Sequence, residues 1–318
     1  MMYPKRSQYK YSKKPYTVRN WPEYEAGLRR RGDLTIWLSE GALARWKAKS
    51  SGKPGGQQVY DKLAIETAVT LSLVYHLALR QTEGFLCSIF QLLGLNLPVP
   101  DHTTISRRAK KLGKVAFAAA KRSGPIHLLI DSTGLKIHVG HLRKPPKQRA
   151  WRKLHLAVDL KSGEILAADL TSSPTSDATQ VPNLLKQVGD NLASVSGDGA
   201  YDTDAVYQAI AAHNPNRNTK VLIPPPKDAR LNAEAAAYLK DRNRHIQSIA
   251  RVGRKEWCKN SGYSKRSMVE NSIFRYKMII GRQMRARTLA SQRVEVWLAC
   301  KILNTMTNLG MPQSCLIG

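Results

Sequence analysis

The chain is 318 residues long, 42% hydrophobic and 23% charged, the composition of a folded globular protein with room for two domains. Its 51 basic residues against 23 acidic ones leave a net charge of +28, which implies a polyanionic partner, either nucleic acid or an anionic membrane surface. No apolar run approaches the ~20 residues of a spanning helix, no apolar segment follows the basic N-terminus to make a secretory signal, and Cys87, Cys258, Cys300 and Cys315 form no CxxC pair, which argues against zinc and for a reducing, cytoplasmic compartment.

Residues 1–20 are polar, basic and Tyr-rich and read as a flexible arm. Residues 21–124 read as a helical domain. Leu34, Trp37, Leu38, Leu43 and Trp46 recur at helical spacing, SGKPGGQQ (51–58) is a loop, and 61–79 is apolar almost all round, as in a buried helix that continues through QTEGFLCSIFQLLGL. In DHTTISRRAKKLGK (101–114), Asp101 can cap a helix that offers Thr103, Thr104 and Ser106, then Arg107, Arg108, Lys110 and Lys111. This resembles a helix-turn-helix, with short polar residues and cations for DNA; an amphipathic surface helix is the alternative.

After Gly124-Pro125 the pattern turns to alternation. IHLLIDS (126–132), WRKLHLAVD (151–159) and EILAADLT (164–171) read as three strands, the last two a hairpin. A capped helix (176–189), a fourth strand ending at Asp198, a helix (204–213), a short strand (219–226), an Ala-rich helix (231–248), a basic helix from 263 and an apolar one (290–309) follow. The order is that of a mixed α/β, ribonuclease H-like sheet of five strands with flanking helices, over 125–310, with a mostly helical insertion at about 226–262.

In that order the first and fourth strands are neighbours, so Asp131 and Asp198 meet at strand ends, where open α/β sheets gather their chemistry. Paired carboxylates repel unless a cation lies between them. A hard divalent ion such as Mg²⁺ answers that need, and two such ions support in-line displacement at phosphorus. Glu270 is the candidate third carboxylate, the exception in a stretch (251–293) holding twelve Lys and Arg and two acids. Taken singly, each acid also has a structural reading: a turn after a strand, or a capping box from Ser267 to Glu270. Tyr263, Arg266, Glu270 and Lys277 fall on one polar stripe at 100° per residue, which an i,i+4 pair of Arg266 with Glu270 does not by itself explain.

The spacing Y-x2-R-x3-E-x6-K, carried by Tyr263, Arg266, Glu270 and Lys277, resembles the signature of DDE transposases of bacterial insertion sequences, in the IS-four superfamily. IHLLIDSTGLKI and SVSGDGAYDT resemble the two Asp segments of its IS-five family members. The resemblance implies a catalytic domain with Asp131, Asp198 and Glu270 holding two Mg²⁺ (or Mn²⁺) ions. It implies Tyr263, Arg266 and Lys277 on DNA near the cleaved phosphate, and an N-terminal helical domain that binds terminal inverted repeats. It further implies hydrolytic cleavage at the element ends, attack of the 3′-hydroxyl on double-stranded target DNA, and a homodimer on DNA, in a bacterial, nucleoid-associated setting away from membranes.

The basic run 134–153 holds seven Lys and Arg and no acid, and is expected to line the DNA path through Arg143, Lys144, Arg149 and Arg152. His138 and His141 stand at i,i+3 there, as phosphate or solvent contacts rather than metal ligands. His155 reads as structural, and Trp151 and Trp257 as packed side chains able, if exposed, to stack on a base. A stand-alone metal-dependent nuclease of the same fold is the alternative function.

Overall fold

The computed structural model describes residues 16–50, 52, 54–114, 124–137, 151–189, 191–215, 219–232 and 236–317. Arg143, Lys144, Arg149, His138 and His141, and residues 1–15 of the expected arm, lie outside the described residues. The rest of that arm is not free chain. β1 (Tyr16–Val18) pairs antiparallel with β8 (Ser314–Leu316), the last strand.

Among the described residues six α-helices stand between β1 and the main sheet, and short polar side chains start most of them. α1 (Trp21–Arg30) has a proline in its first turn, while α2 (Leu34–Trp37), α3 (Glu40–Ala44), α4 (Lys62–Val74) and α6 (His102–Ala109) are capped by Asp33, Ser39, Asp61 and Asp101. Each cap accepts a backbone N–H that has no partner within the helix. The expected continuous helix after 61 is in fact two. α4 ends at Val74, His76 takes a left-handed φ of 55°, and α5 (Leu79–Leu92) leaves at 109° to α4. Gln81 accepts the Ala78 N–H and Ser72 donates to the Leu77 carbonyl, so side chains satisfy the backbone at the corner. Trp46 is fully buried and donates to the Pro98 carbonyl at 2.7 Å, closing the chain over α4 and α5.

The remaining strands are β2 (Ile126–Ile137), β3 (Trp151–Asp159), β4 (Ile165–Ser172), β5 (Leu192–Ser196), β6 (Lys220–Leu222) and β7 (Gln283–Met284). They form one sheet in the order β4-β3-β2-β5-β6, with β7 alongside the far end of β2. β2, β3 and β4 are antiparallel neighbours, while β5 and β6 run parallel to β2 and to each other. The mixed α/β, ribonuclease H-like order stands, with six strands rather than five among the described residues. The first strand does not stop at its acid. β3 stays in register with β2 as far as Lys136↔Trp151, so β2 runs on to Ile137 and β7 pairs with its last two residues.

Side chains alternate across β2, and each face has its own apolar core. Leu128 and Ile130 pack with α7 (Val181–Leu185) and α8 (Asp204–His213). Leu129 and Leu135 pack toward α10 (Ser267–Arg275), α11 (Leu289–Leu309) and the N-terminal helices, which share this core. α9 (Lys240–Ser261) lies between β6 and α10, kinked at Gly253. No single helix among the described residues is long and apolar enough to cross a membrane.

Candidate active site

Asp131 is at the centre of β2, on the face that carries Leu129 and Leu135. The parallel pairing of β2 with β5 ends at Leu129↔Ser196, and Asp131 and Asp198 each lie two residues past that pair. Register therefore sets the two aspartates level beyond the last β2–β5 pair, but Asp131 lies mid-strand rather than at the strand end expected of it. Asp198 has left the strand. Its side chain caps the short turn Gly199–Tyr201, accepting from Ala200 N at 2.9 Å. Gly197 makes this exit possible: a Cβ there would lie 2.9 Å from Tyr201 Cδ2 and 3.1 Å from Ile130 Cγ1. Only hydrogen fits where the tyrosine ring crosses the backbone between the two aspartates' neighbours.

The helix expected to run unbroken from 263 has three parts. α9 ends at Gly262, whose left-handed φ of 77° reverses the chain. Tyr263–Arg266 is a tight 3₁₀ turn, α10 carries Glu270 in its first turn, and Tyr276–Ile280 is a π turn. The π turn moves residues after Arg275 off the 3.6-residue period, so Lys277 does not simply continue the Tyr263–Glu270 stripe. Lys277 is half-buried and makes no hydrogen bond or ion pair among the described residues. The capping box does not form. Ser267 Oγ donates to the Ser264 carbonyl, and Glu270 turns instead to Arg266.

Arg266 joins the strand and helix halves of the site. Its Nη1 donates to Asp131 Oδ2 at 3.0 Å and its Nη2 to Glu270 Oε1 at 2.6 Å. The other oxygen of Asp131 accepts Ser132 N–H at 2.7 Å. Burial raises the Asp131 pKa, and Asp198 adds to that, against the pull of Ser132 N–H and Arg266. For Arg266, burial works against the charge, but the attraction of Tyr263, Asp131 and Glu270 outweighs it and holds the guanidinium more firmly protonated. Its guanidinium lies over the Tyr263 ring, 5.9 Å from the centroid, and that ring rests on Trp257 at 5.4 Å. Burial raises the Tyr263 hydroxyl, as does the charge of Asp198.

The donor set is one that suits a hard cation: carboxylate oxygens, one of them buried at an energetic penalty that a cation would relieve. In this arrangement no group of three His, Cys, Asp or Glu residues among the described residues converges as a metal cage. Arg266 lies between Asp131 and Glu270 and supplies the positive charge there.

The other expected contacts divide. Arg107 on α6 and Lys110 at its C-terminal cap are exposed, but Arg108 is half-buried and bound to the protein itself, donating to the Tyr60 carbonyl at 2.6 Å and to Gln58 Oε1 at 3.0 Å. Arg152 donates to Gln292 Oε1 at 3.0 Å. Trp257 is buried, donating from Nε1 to His245, and is closed to any base. Trp151 covers Gly134 and receives Lys136 over its ring.

His155 is fully buried, as a structural residue should be, but its surroundings were not legible. Its Nε2 meets Thr171 Oγ1 at 2.9 Å, and its Nδ1 is 3.5 Å from Asp177, which also faces Lys153 at 3.3 Å. Asp177 is absent from the sequence expectations, and so is Tyr201, the ring behind both aspartates. The only signal for either was Tyr201's place three residues after Asp198.

Two solved transposase complexes are similar to this chain. The piggyBac transposase in its synaptic complex with hairpin DNA shares 10% identity at a TM-score of 0.37, over 94% of this chain and 78% of that chain. The Mos1 transposase paired-end complex with the left transposon end shares 13% at 0.23, over 74% and 81%. Likeness at that level carries no argument. The family models do: residues 29–140 match a model described as a transposase DDE domain, and residues 122–305, more than half of the chain, match a second model of the same description. The chain belongs to the DDE transposases.

Proposed function

We propose that the chain is the transposase of an insertion sequence, with Asp131, Asp198 and Glu270 as the ligands of two Mg²⁺ ions, for which Mn²⁺ can substitute. DDE transposase domains depend on divalent metal, and when bound the ions activate the attacking oxygen and stabilise the leaving one at phosphorus. The observation that carries the assignment is the Arg266 bridge, by which one guanidinium draws a carboxylate on the central strand and one on α10 to a single point. The common register of Asp131 and Asp198 past the last β2–β5 pair adds the third acid.

The protein's own groups then have distinct tasks. The backbone N–H of Ser132 fixes one oxygen of Asp131, and Ala200 N–H fixes Asp198 in its turn, so both acids are oriented before DNA arrives. Tyr263, Arg266 and Lys277 hold the phosphates beside the cleaved bond, with the Arg fork suited to a phosphate as well as to a carboxylate. Arg107 and Lys110, exposed at the C-terminal end of α6, meet the DNA backbone, and the helices of 21–124 bind the inverted repeats as a helix-turn-helix would. The reaction is hydrolytic cleavage at the element ends followed by 3′-hydroxyl attack on target DNA, in a homodimer that holds both ends. The family match does not favour a stand-alone nuclease.

The test is cleavage of a labelled duplex bearing the element's end, in Mg²⁺, by Asp131→Asn, Asp198→Asn and Glu270→Gln. Each substitution abolishes nicking and strand transfer while duplex binding persists. Nicking at the wild-type rate by any of the three removes that residue from the metal centre.

A further inference from the structure

Each oxygen of Asp131 already accepts a hydrogen bond, one from Ser132 N–H and the other from Arg266. Arg266 is also bound to Glu270, so a cation approaching the space between these two carboxylates meets a guanidinium first. We propose that Arg266 is the built-in competitor of the divalent metal at this site: metal binding displaces its fork from Asp131 and Glu270 and delivers it to a DNA phosphate. The inference rests on the reading of Asp131 and Glu270 as metal ligands.

Three features make Arg266 more than a helix-surface ion pair. An i,i+4 pair accounts for Glu270 but not for the bond to Asp131 on the central strand. The two ends of the bridge differ in freedom: the Glu270 side chain is 56% exposed, whereas those of Asp131 and Arg266 are 17% and 18% exposed. Glu270 can therefore swing without disturbing the core. Finally, Arg266 has a platform of its own. Tyr263 lies beneath it, Trp257 beneath Tyr263, and Trp257 is tied through His245 to the Val221 carbonyl of β6. The stack keeps the guanidinium beside the site after it leaves the acids, with its charge intact.

A planar fork is the group such an exchange calls for. It binds two carboxylates or one phosphate by the same paired N–H donors, which an ammonium cannot do. Metal and DNA then bind cooperatively. Metal frees Arg266 for phosphate, and phosphate, by holding Arg266, clears the acids for metal; linkage requires the two effects to be equal.

The experiment is calorimetric titration of Mn²⁺ into the full chain, alone and with a short random-sequence duplex, for the wild type, Arg266→Gln, Arg266→Lys and Asp131→Asn. Without DNA, Arg266→Gln is expected to bind Mn²⁺ about tenfold more tightly than the wild type, the effect of removing one adjacent like charge. Arg266→Lys, which keeps a charge but cannot span both acids, falls between them. Duplex tightens Mn²⁺ binding by the wild type and leaves Arg266→Gln unchanged. Equal or weaker Mn²⁺ binding by Arg266→Gln overturns the proposal, and if that variant does not fold, the same comparison with Arg266→Lys decides it. Undiminished Mn²⁺ binding by Asp131→Asn would show instead that the metal assignment itself is wrong, and the proposal falls with it.

Discussion

Gly197→Ala adds one methyl group at the point where the two aspartates are spaced. That methyl would lie 2.9 Å from Tyr201 Cδ2 and 3.1 Å from Ile130 Cγ1, against a ring that is 1% exposed and a side chain that is fully buried. Neither neighbour is the loose end of a flexible chain, so the backbone must give. Overpacking of this kind costs about 1–3 kcal/mol, a fall in melting temperature of a few to about 10 °C. The displaced atoms adjoin the acids proposed to be catalytic: Ile130 precedes Asp131 and Gly197 precedes Asp198. Metal-dependent cleavage should therefore fall further than stability does, by about ten- to a hundredfold, as reacting groups lose their spacing. Gly199→Ala is the matched control, since its Cβ would meet only Pro224 O at an ordinary 3.4 Å; it should change stability by less than about 0.5 kcal/mol. Thermal melts and single-turnover cleavage of both variants make the comparison. A Gly197→Ala protein that melts and cleaves like the wild type would refute the claim that Tyr201 and Ile130 set the spacing of the acids.

Arg108→Ala breaks the bonds to Tyr60 and Gln58 and should cost about 1–2 kcal/mol of stability. Arg107→Ala and Lys110→Ala should leave the melt unchanged and each reduce the salt slope of duplex binding by about one. The opposite pattern would put Arg108 on DNA. His245 donates from Nε2 to the Val221 carbonyl, which can only accept, and receives the Trp257 N–H at Nδ1, so it is the neutral tautomer. Burial, as the largest cause, holds its pKa below the ordinary 6.5. The unfolded chain then takes up a proton before the folded one, and stability present above pH 6.5 is lost as the pH falls below it. His155 has the same sign, also from burial. Melts between pH 7.5 and about 5 should show this loss, with a shallower fall in His245→Gln; an equal slope in that variant would exclude His245 as a source.

The catalytic core was legible because its logic is local and periodic. A short apolar run marked 126–132 as a strand, and alternation marked 151–159; neither said which residues would face which core. The neighbouring of Asp131 and Asp198 follows from strand order alone. What escaped the sequence depends on tertiary partners. The extension of β2 to Ile137 is a property of β3 and β7, which pair with it. The corner at His76 rests on a hydrogen bond from Ser72 to the Leu77 carbonyl and one from the Ala78 N–H to Gln81, which helical periodicity does not register. The basic helix expected from 263 is set off from α9 by the positive φ of Gly262, and it breaks where the backbone after Arg275 widens into a π turn. Charge spacing placed Tyr263, Arg266 and Glu270 together but could not say that Arg266 would reach across to Asp131. Nor could a count of basic residues separate Arg108, bonded to Tyr60 and Gln58, from the exposed Arg107 and Lys110.

The most direct test of the central claim is a crystal of the full chain with duplex DNA and Mn²⁺, examined by anomalous diffraction at the manganese edge. Manganese is expected on carboxylate oxygens of Asp131, Asp198 and Glu270, with Arg266 turned from Asp131 to a phosphate. Manganese bound elsewhere, with Arg266 still bridging Asp131 and Glu270 beside the scissile phosphate, would contradict it.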